Sequence, residues 1–216
     1  SDLFYSREFS LTKLTVEEYV RSPEFQVVGV AVKLNDGPAQ WFSGTLEETA
    51  EFLAQFDWAN QFALAHNAMF DAAILTWVFG HKPKAWLDTL SMARALFGTQ
   101  ISVRLASLAE HFGIGHKGTE VDDAKGLRRE DFPAAQLEQY GEYCKNDVEL
   151  TYNLYKIMGE GFPTVEKRLI DLTIRMFSDP MLELDTERLE EHLREVRERK
   201  ERLLDRKSTR LNSSHT

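Results

Sequence analysis

The chain has 216 residues, a single cysteine, and 26 Lys and Arg against 35 Asp and Glu, which gives a formal net charge of −9. A hydrophobic share of 43% with 14 Phe, 6 Tyr and 4 Trp excludes a disordered chain, and one cysteine excludes a disulfide scaffold or a cysteine-rich zinc module. The acidic balance argues against a broad basic face for duplex DNA, and no apolar run reaches the length of a membrane helix. These features predict a soluble, cytoplasmic α/β protein with no membrane partner.

The first three quarters of the chain alternate short apolar runs with amphipathic segments, so strands and helices are expected in turn. Two Thr-x-x-Glu segments, at residues 15–18 and 45–48, are capping boxes that mark the starts of helices. The apolar runs predict strands at residues 25–34, 39–43, 62–66 and 84–87. The amphipathic segments predict helices at residues 68–79 (with Asn67 as its N-cap), 89–97, 105–112 and 134–158. This order predicts a mixed sheet with helices on its faces.

The pattern changes after Pro163, where only helices are expected. One helix is predicted at residues 164–177, and Asp185 is expected to cap a long second helix. The apolar positions of the second helix form one stripe, with charged residues elsewhere: Leu189, Leu193, Val196 and Leu203.

The two ends of the chain differ from the rest. Residues 205–216 contain one isolated leucine and no hydrophobic period, and they resemble the translated read-through of a sequencing adapter. Residues 1–3 resemble the translated end of the opposite adapter. We therefore leave both segments out of the fold prediction and expect residues 4–204 to be a natural piece of a longer protein.

Asp71 is the first candidate for chemistry, because it follows a buried strand and lies in the first turn of the next helix. Active sites of α/β proteins are commonly built where a strand ends at the edge of a sheet. The alternative is structural, since an aspartate in a first helical turn stabilises the helix dipole.

Tyr143 and Asp147 form the second candidate, because residues at positions i and i+4 share one face of a helix. Leu150, Leu154 and Ile157 continue that face, so it is expected to turn inward. A buried carboxylate costs several kcal/mol unless it is paired or binds a metal ion. Asp147 is therefore expected either to pair with a distant arginine or to bind metal.

Taken together, the two candidates suggest a metal site. Carboxylates of Asp71 and Asp147 would suit Mg²⁺ or Mn²⁺, and Tyr143 could position a water for phosphodiester hydrolysis assisted by two ions.

The long loop at residues 113–133 contains further charged side chains. Its acidic members, Glu120, Asp122 and Asp123, could touch a metal ion or could simply be solvated. Its basic members could meet the phosphates of a single strand or could also be solvated: Lys117, Lys125, Arg128 and Arg129.

The segment Asn67-x-x-Phe70-Asp71, followed about 70 residues later by Tyr143-x-x-x-Asp147, resembles the second and third exonuclease motifs of the DEDD superfamily, tyrosine variant. The chain is most similar to the 3′–5′ proofreading domain of phage-type family A DNA polymerases. The similar segments are residues 5–25, 28–44, 65–75 (AHNAMFDAAIL), 87–96 (LDTLSMARAL), 143–155 (YCKNDVELTYNLY) and 169–193.

The resemblance implies a ribonuclease H-like fold and an enzyme that hydrolyses single-stranded DNA from the 3′ end. Asp71 and Asp147 would bind two divalent ions, Mg²⁺ or Mn²⁺, and Tyr143 would position the attacking water. Asn67 and Phe70 would shape the substrate site, with Phe70 near the terminal base. The implied organisation is an exonuclease domain at residues 4–162 and, at residues 163–204, a helical link into the polymerase domain of the same parent chain.

The chain departs from the resemblance at its first motif, which is Asp-x-Glu on the first strand and should stand immediately before Phe4. Ser1-Asp2-Leu3 occupies that place and contains no such motif. We therefore expect the first strand to be largely missing and the chain as given to be inactive. Two alternatives remain open, an RNA-trimming exonuclease of the same superfamily and a non-catalytic module that braces a polymerase.

Overall fold

The structure is a computed structural model that describes residues 2–118 and 126–213, with side chains described for residues 3–118 and 126–205. The chain forms two compact units that divide between Asp179 and Pro180. The elements of the first unit are, in chain order, β1 (Asp2–Leu3), α1 (Val16–Val20), β2 (Val27–Lys33), β3 (Ala39–Phe42), α2 (Leu46–Leu53), β4 (Phe62–Ala65), α3 (Ala68–Ala73), β5 (Ala85–Asp88), α4 (Thr89–Phe97), α5 (Leu105–Phe112), α6 (Ala134–Gly159) and α7 (Thr164–Ser178). The predicted mixed α/β class is confirmed.

Three strands form an antiparallel sheet in the order β1-β2-β3. The first four residues of β2 are buried in succession, as its unbroken β-branched run predicts. β2 and β3 form the predicted hairpin, with Val30 opposite Phe42. β1 has only two residues, and Leu3 lies opposite Val27, so β1 covers only the start of β2.

Two further strands, β4 and β5, pair in parallel as a separate sheet, with Ala65 opposite Asp88. Because parallel strands end at the same edge, the residues that follow β4 lie beside the end of β5. The structure thus has one antiparallel and one parallel sheet, where a single mixed sheet was predicted.

Trp41 connects the antiparallel sheet to the long helix α6. A Cβ added to Gly29 would lie 2.1 Å from Cη2 of Trp41, and one added to Gly141 would lie 2.5 Å from its Cδ1. Both positions therefore require glycine, because no other residue permits such close approach of the backbone to the ring. Through this contact α6 packs against β2 and β3, and the packing positions the residues that follow Gly141.

α7 packs within the first unit, against α3 and β5. Asp171 Oδ1 accepts a hydrogen bond from the Trp86 backbone N–H at 2.8 Å, and Trp77 Nε1 donates to the Ser178 carbonyl at 2.8 Å. Arg175 Nη2 donates to the Pro83 carbonyl at 2.7 Å. These contacts attach the helix to the outer edge of β5. The compact unit thus includes α7. The functional boundary at residue 162 lies before this helix and stays a prediction.

The second unit contains α8 (Thr186–Ser213). Asp185 Oδ1 accepts a hydrogen bond from the Arg188 backbone N–H at 3.0 Å, as expected of an N-cap. The predicted apolar stripe is exposed along this helix, from Leu189 at 49% to Leu203 at 56%. None of the helices in the described part of the chain combines the length and apolar character needed to span a membrane.

The region after β4 differs from its prediction. The predicted helix at residues 68–79 is interrupted, because α3 ends at Ala73 and a π-helical turn (Ile74–Val78) follows. Asn67 stands at the N-cap position, but its side chain makes no capping hydrogen bond and its φ is +74°. A residue in the left-handed region cannot aim its side chain at the helix as an extended N-cap does, so the expected capping role of Asn67 is wrong.

Candidate active site

Asp88 organises the edge where β4 and β5 end. Its Oδ1 accepts hydrogen bonds from the backbone N–H groups of Asn67 at 2.8 Å and Leu90 at 3.1 Å. Its Oδ2 accepts from the Ser91 N–H at 3.3 Å and from the Ser91 hydroxyl at 2.6 Å. Asp88 is 4% exposed and therefore caps α4 and holds the left-handed turn at Asn67 with one carboxylate. The sequence did not predict the link between Asp88 and Asn67, which are 21 residues apart.

His66 follows β4 and lies inside the same edge. Its Nδ1 is 2.9 Å from the Thr89 hydroxyl at the start of α4. Burial lowers the pKa of the imidazole, and the neighbouring charge of Lys117 lowers it further. The carboxylates of Asp88 and Asp147 oppose this shift. His66 is thus within electrostatic reach of Asp147, a neighbour that the sequence did not predict.

Tyr143 and Asp147 lie on the inward face of α6, as their spacing predicts, although Ile157, which was expected on the same face, is 46% exposed. Tyr143 is 7% exposed, and its ring stacks on Tyr140 with the centroids 6.1 Å apart. The Asp147 side chain is 24% exposed, while its Oδ1 has no accessible surface. The helix therefore presents a phenol and a partly buried carboxylate one turn apart.

Lys117 joins these two side chains. Its Nζ is 2.6 Å from Asp147 Oδ2 and 5.3 Å from the centroid of the Tyr143 ring. Burial disfavours the charged ammonium, but hydrogen bonds to Asp147 and Tyr143 outweigh it and raise the pKa of Lys117. The partner of the inward carboxylate is therefore a lysine of the long loop, where an arginine had been expected as the alternative to metal.

Asn146 holds the loop that carries Lys117 against α6. Its Nδ2 donates a hydrogen bond to the His116 carbonyl at 2.9 Å. Gly115, with a φ of +139°, lies so close to α6 that an added Cβ would meet Leu150 Cδ2 at 3.0 Å. The backbone before Lys117 is thus fixed on the helix that bears Tyr143 and Asp147. The hydrogen bond between Asn146 and His116 joins residues 30 apart in the chain, so the sequence did not predict it. The position of Asn146 beside Asp147 was the one available signal.

Asp71 and Phe70 lie in the first turn of α3. Asp71 is half-buried, and its predicted convergence with Asp147 stays a prediction. Phe70 is half-buried and its ring centroid lies 6.2 Å from that of Tyr19 at an angle of 46°. Phe70 therefore contributes to the hydrophobic core, and any contact with a base would use its remaining exposed surface.

The side chains present fit a divalent ion in part. Asp147 offers a hard carboxylate oxygen, and the ammonium beside it shows that the position accommodates positive charge. Within residues 3–118 and 126–205, no group of three or more Asp, Glu, His or Cys side chains is placed to hold a metal. The side chains of Asp2, Glu120, Asp122 and Asp123 lie outside the described residues. Asp147 is therefore one carboxylate that could hold an ion, and the described residues show no complete ligand set.

Comparison with known families places the chain in a class. A family model described as 3′–5′ exonuclease, the exonuclease domain associated with family A DNA polymerases, matches residues 29–161. This is more than half of the chain and spans both β4–α3 and the motif of α6. The chain belongs to this exonuclease family, whose members are hydrolases and generally depend on divalent metal ions. Searches among curated proteins and among solved structures returned no match.

Proposed function

We propose that the chain is the 3′–5′ proofreading exonuclease part of a phage-type family A DNA polymerase, with a ribonuclease H-like fold. Its proposed substrate is the 3′ end of single-stranded DNA. The observation that carries the proposal is the placement of Tyr143 and Asp147 one helical turn apart on the inward face of α6, within the residues that the exonuclease family model matches. A position that attracts positive charge beside a phenol has the character needed for ion-assisted phosphodiester hydrolysis.

Asp71 and Asp147 are the proposed ligands of two divalent ions, Mg²⁺ or Mn²⁺, because carboxylate oxygens suit these ions. When bound, the ions supply charge stabilisation at the phosphate and a nucleophilic water at neutral pH. The Tyr143 hydroxyl is proposed to orient that water and hold its proton in position. The fixed ring of Tyr143, stacked on Tyr140, supports this role because a positioned group needs little reorganisation.

Asn67 and Phe70 are the proposed substrate contacts. Asn67 is exposed and stands on a turn whose backbone is held by Asp88, so its amide is presented from a rigid edge. The exposed part of Phe70 is proposed to lie near the terminal base, where stacking on an aromatic ring is tolerant of sequence.

The chain as given is proposed to be inactive or nearly so. Asp71 and Asp147 provide only two of the carboxylates that two ions require, and Ser1-Asp2-Leu3 offers no Asp-x-Glu. A non-catalytic module that braces a polymerase is the second candidate, favoured by one observation. The Asp147 carboxylate is already neutralised by Lys117.

The proposed partner is the polymerase domain of the same parent chain, in the cytoplasm of a bacterial or phage-infected cell. Support comes from the exposed apolar positions of α7, which follow helical spacing and include Val165 at 66% and Met176 at 69%. In the second unit, the apolar stripe of α8 is exposed as well. Such faces are typical of surfaces that another part of a protein covers.

The test uses the chain with an Asp-x-Glu sequence added before Phe4. We expect it to release nucleotides from the 3′ end of single-stranded DNA in Mg²⁺, and to stop in EDTA. Asp147→Ala should remove the activity, whereas Asp36→Ala, which changes an exposed carboxylate paired with Lys156, should preserve it. Chelator-resistant cleavage would contradict the metal assignment. Preferential degradation of RNA would contradict the substrate assignment, and no cleavage at all would favour the bracing module.

A further inference from the structure

The strongest unassigned feature is the position of Lys117. Its ammonium contacts both side chains of the α6 motif. It forms an ion pair with Asp147 at 2.6 Å, and it lies 5.3 Å from the centroid of the Tyr143 ring. The Lys117 and Asp147 side chains are 31% and 24% exposed. The pair is therefore partly shielded from water and is a stronger interaction than an exposed surface pair.

The loop geometry makes this contact a fixed feature. Asn146 anchors the His116 carbonyl to α6, and Gly115 packs closely on Leu150. Because residues 115 and 116 are both held on the helix, the Lys117 side chain starts beside Asp147. Only the flexible stem of the lysine needs to move for its ammonium to leave the carboxylate.

An ammonium and a divalent ion compete for the same carboxylate oxygen. A Mg²⁺ ion binds oxygen at about 2.1 Å, whereas Lys117 Nζ is 2.6 Å from Asp147 Oδ2. Two cations at such distances from one oxygen would repel each other strongly in a shielded site. The lysine must therefore withdraw from Asp147 when an ion binds.

We propose that Lys117 is a resident counter-ion that neutralises Asp147 in the metal-free site and that divalent ions must displace it from the carboxylate. This inference rests on the proposed role of Asp147 as a metal ligand. Lys117 then acts as a positioning residue: it keeps the carboxylate and Tyr143 in register without metal, and it weakens metal binding in return.

The first test measures Mn²⁺ affinity by electron paramagnetic resonance in the chain with Asp-x-Glu added before Phe4, which serves as the wild-type reference. Lys117→Met should bind Mn²⁺ about tenfold more tightly or better, because an adjacent positive charge is removed. Lys156→Met is the matched control, since Lys156 also pairs with an aspartate, Asp36, at 3.3 Å. It should bind Mn²⁺ like the wild type. Without metal, Lys117→Met should also melt at a lower temperature than the wild type, and Mn²⁺ should restore the difference.

The outcomes separate this inference from the proposed function. Equal or weaker Mn²⁺ binding by Lys117→Met, including no detectable binding by either protein, would overturn the counter-ion role. Equal binding by the wild type and Asp147→Asn would instead remove the ligand role of Asp147 on which the proposed function depends.

A second measurement needs no variant to fold. In the wild type labelled with ¹⁵N-lysine, the ammonium signal of Lys117 should shift when Mg²⁺ is added, while that of Lys156 stays unchanged. A Lys117 signal that does not move at Mg²⁺ concentrations that saturate the protein would overturn the proposal.

Discussion

Tyr143 is a buried phenol beside the Lys117–Asp147 ion pair. It is 7% exposed, stacks on Tyr140 and shares a cation with Asp147. In the chain with Asp-x-Glu restored, Tyr143→Phe should lower turnover by roughly 10²- to 10⁴-fold, the usual contribution of a group that assists proton transfer. Binding of single-stranded DNA should stay unchanged, because the ring and its packing are retained. Steady-state kinetics with a parallel binding assay measure both. A change in affinity with turnover preserved would make Tyr143 a substrate contact.

His66 makes stability depend on pH. Burial lowers the pKa of its imidazole below the ordinary value of about 6.5, so the unfolded chain binds the proton more readily than the folded one. Stability is therefore fully present above about pH 6.5 and falls as the pH drops toward the lower folded value. His66→Gln should flatten the fall in free energy of unfolding between about pH 7 and pH 5. Urea titrations across this range measure the slope.

The control for this prediction is His116→Gln, which changes a side chain that is 87% exposed. It should keep the slope of the wild type. An unchanged slope in His66→Gln would show that other groups carry the acid sensitivity of the fold.

At the scale of elements, one carboxylate links two strand ends and a helix. Asp88 accepts from Asn67, Leu90 and Ser91, so Asp88→Ala loses a cap and leaves a backbone N–H without its acceptor. We expect a loss of about 2–4 kcal/mol in the free energy of unfolding, combining both effects. Thr45→Ala, which removes the exposed cap of α2, should cost only about 1 kcal/mol. Equal losses in urea denaturation would contradict the linking role of Asp88.

Most element boundaries follow from local rules. The capping boxes at Thr15 and Thr45 are both present with their reciprocal hydrogen bonds, and α4 and α5 occupy the predicted residues. The prediction failed at Asn67 because the competing interaction is distant in sequence. Asp88 accepts a hydrogen bond from the backbone N–H of Asn67, and Asn67 takes the left-handed conformation. Asparagine tolerates this conformation but does not require it.

At the scale of the whole molecule, activity is expected to depend on carboxylates that complete the site. The chain as given should release few or no nucleotides from single-stranded DNA, because a ligand set that is incomplete or misplaced by about 1 Å can cost 10²-fold in rate. Adding an N-terminal strand with Asp-x-Glu before Phe4 should restore release in Mg²⁺. The matched control adds the same strand with Asn-x-Gln. Equal activity of the original chain and both extended forms would show that the first motif is not needed.

The sequence by itself determined the α/β class, most helices and strands, the family, and the inward placement of Tyr143 and Asp147. These properties depend on hydrophobic period and residue spacing, which are local. The tertiary structure decided which charges meet: Asp88 with Asn67, and Lys117 with Asp147 across thirty residues of chain. Such pairs depend on how separate elements pack, through contacts such as Trp41 between Gly29 and Gly141. Local patterns carry no record of that packing. Lys117, which the sequence left open between phosphate contact and solvent, is therefore found paired with Asp147.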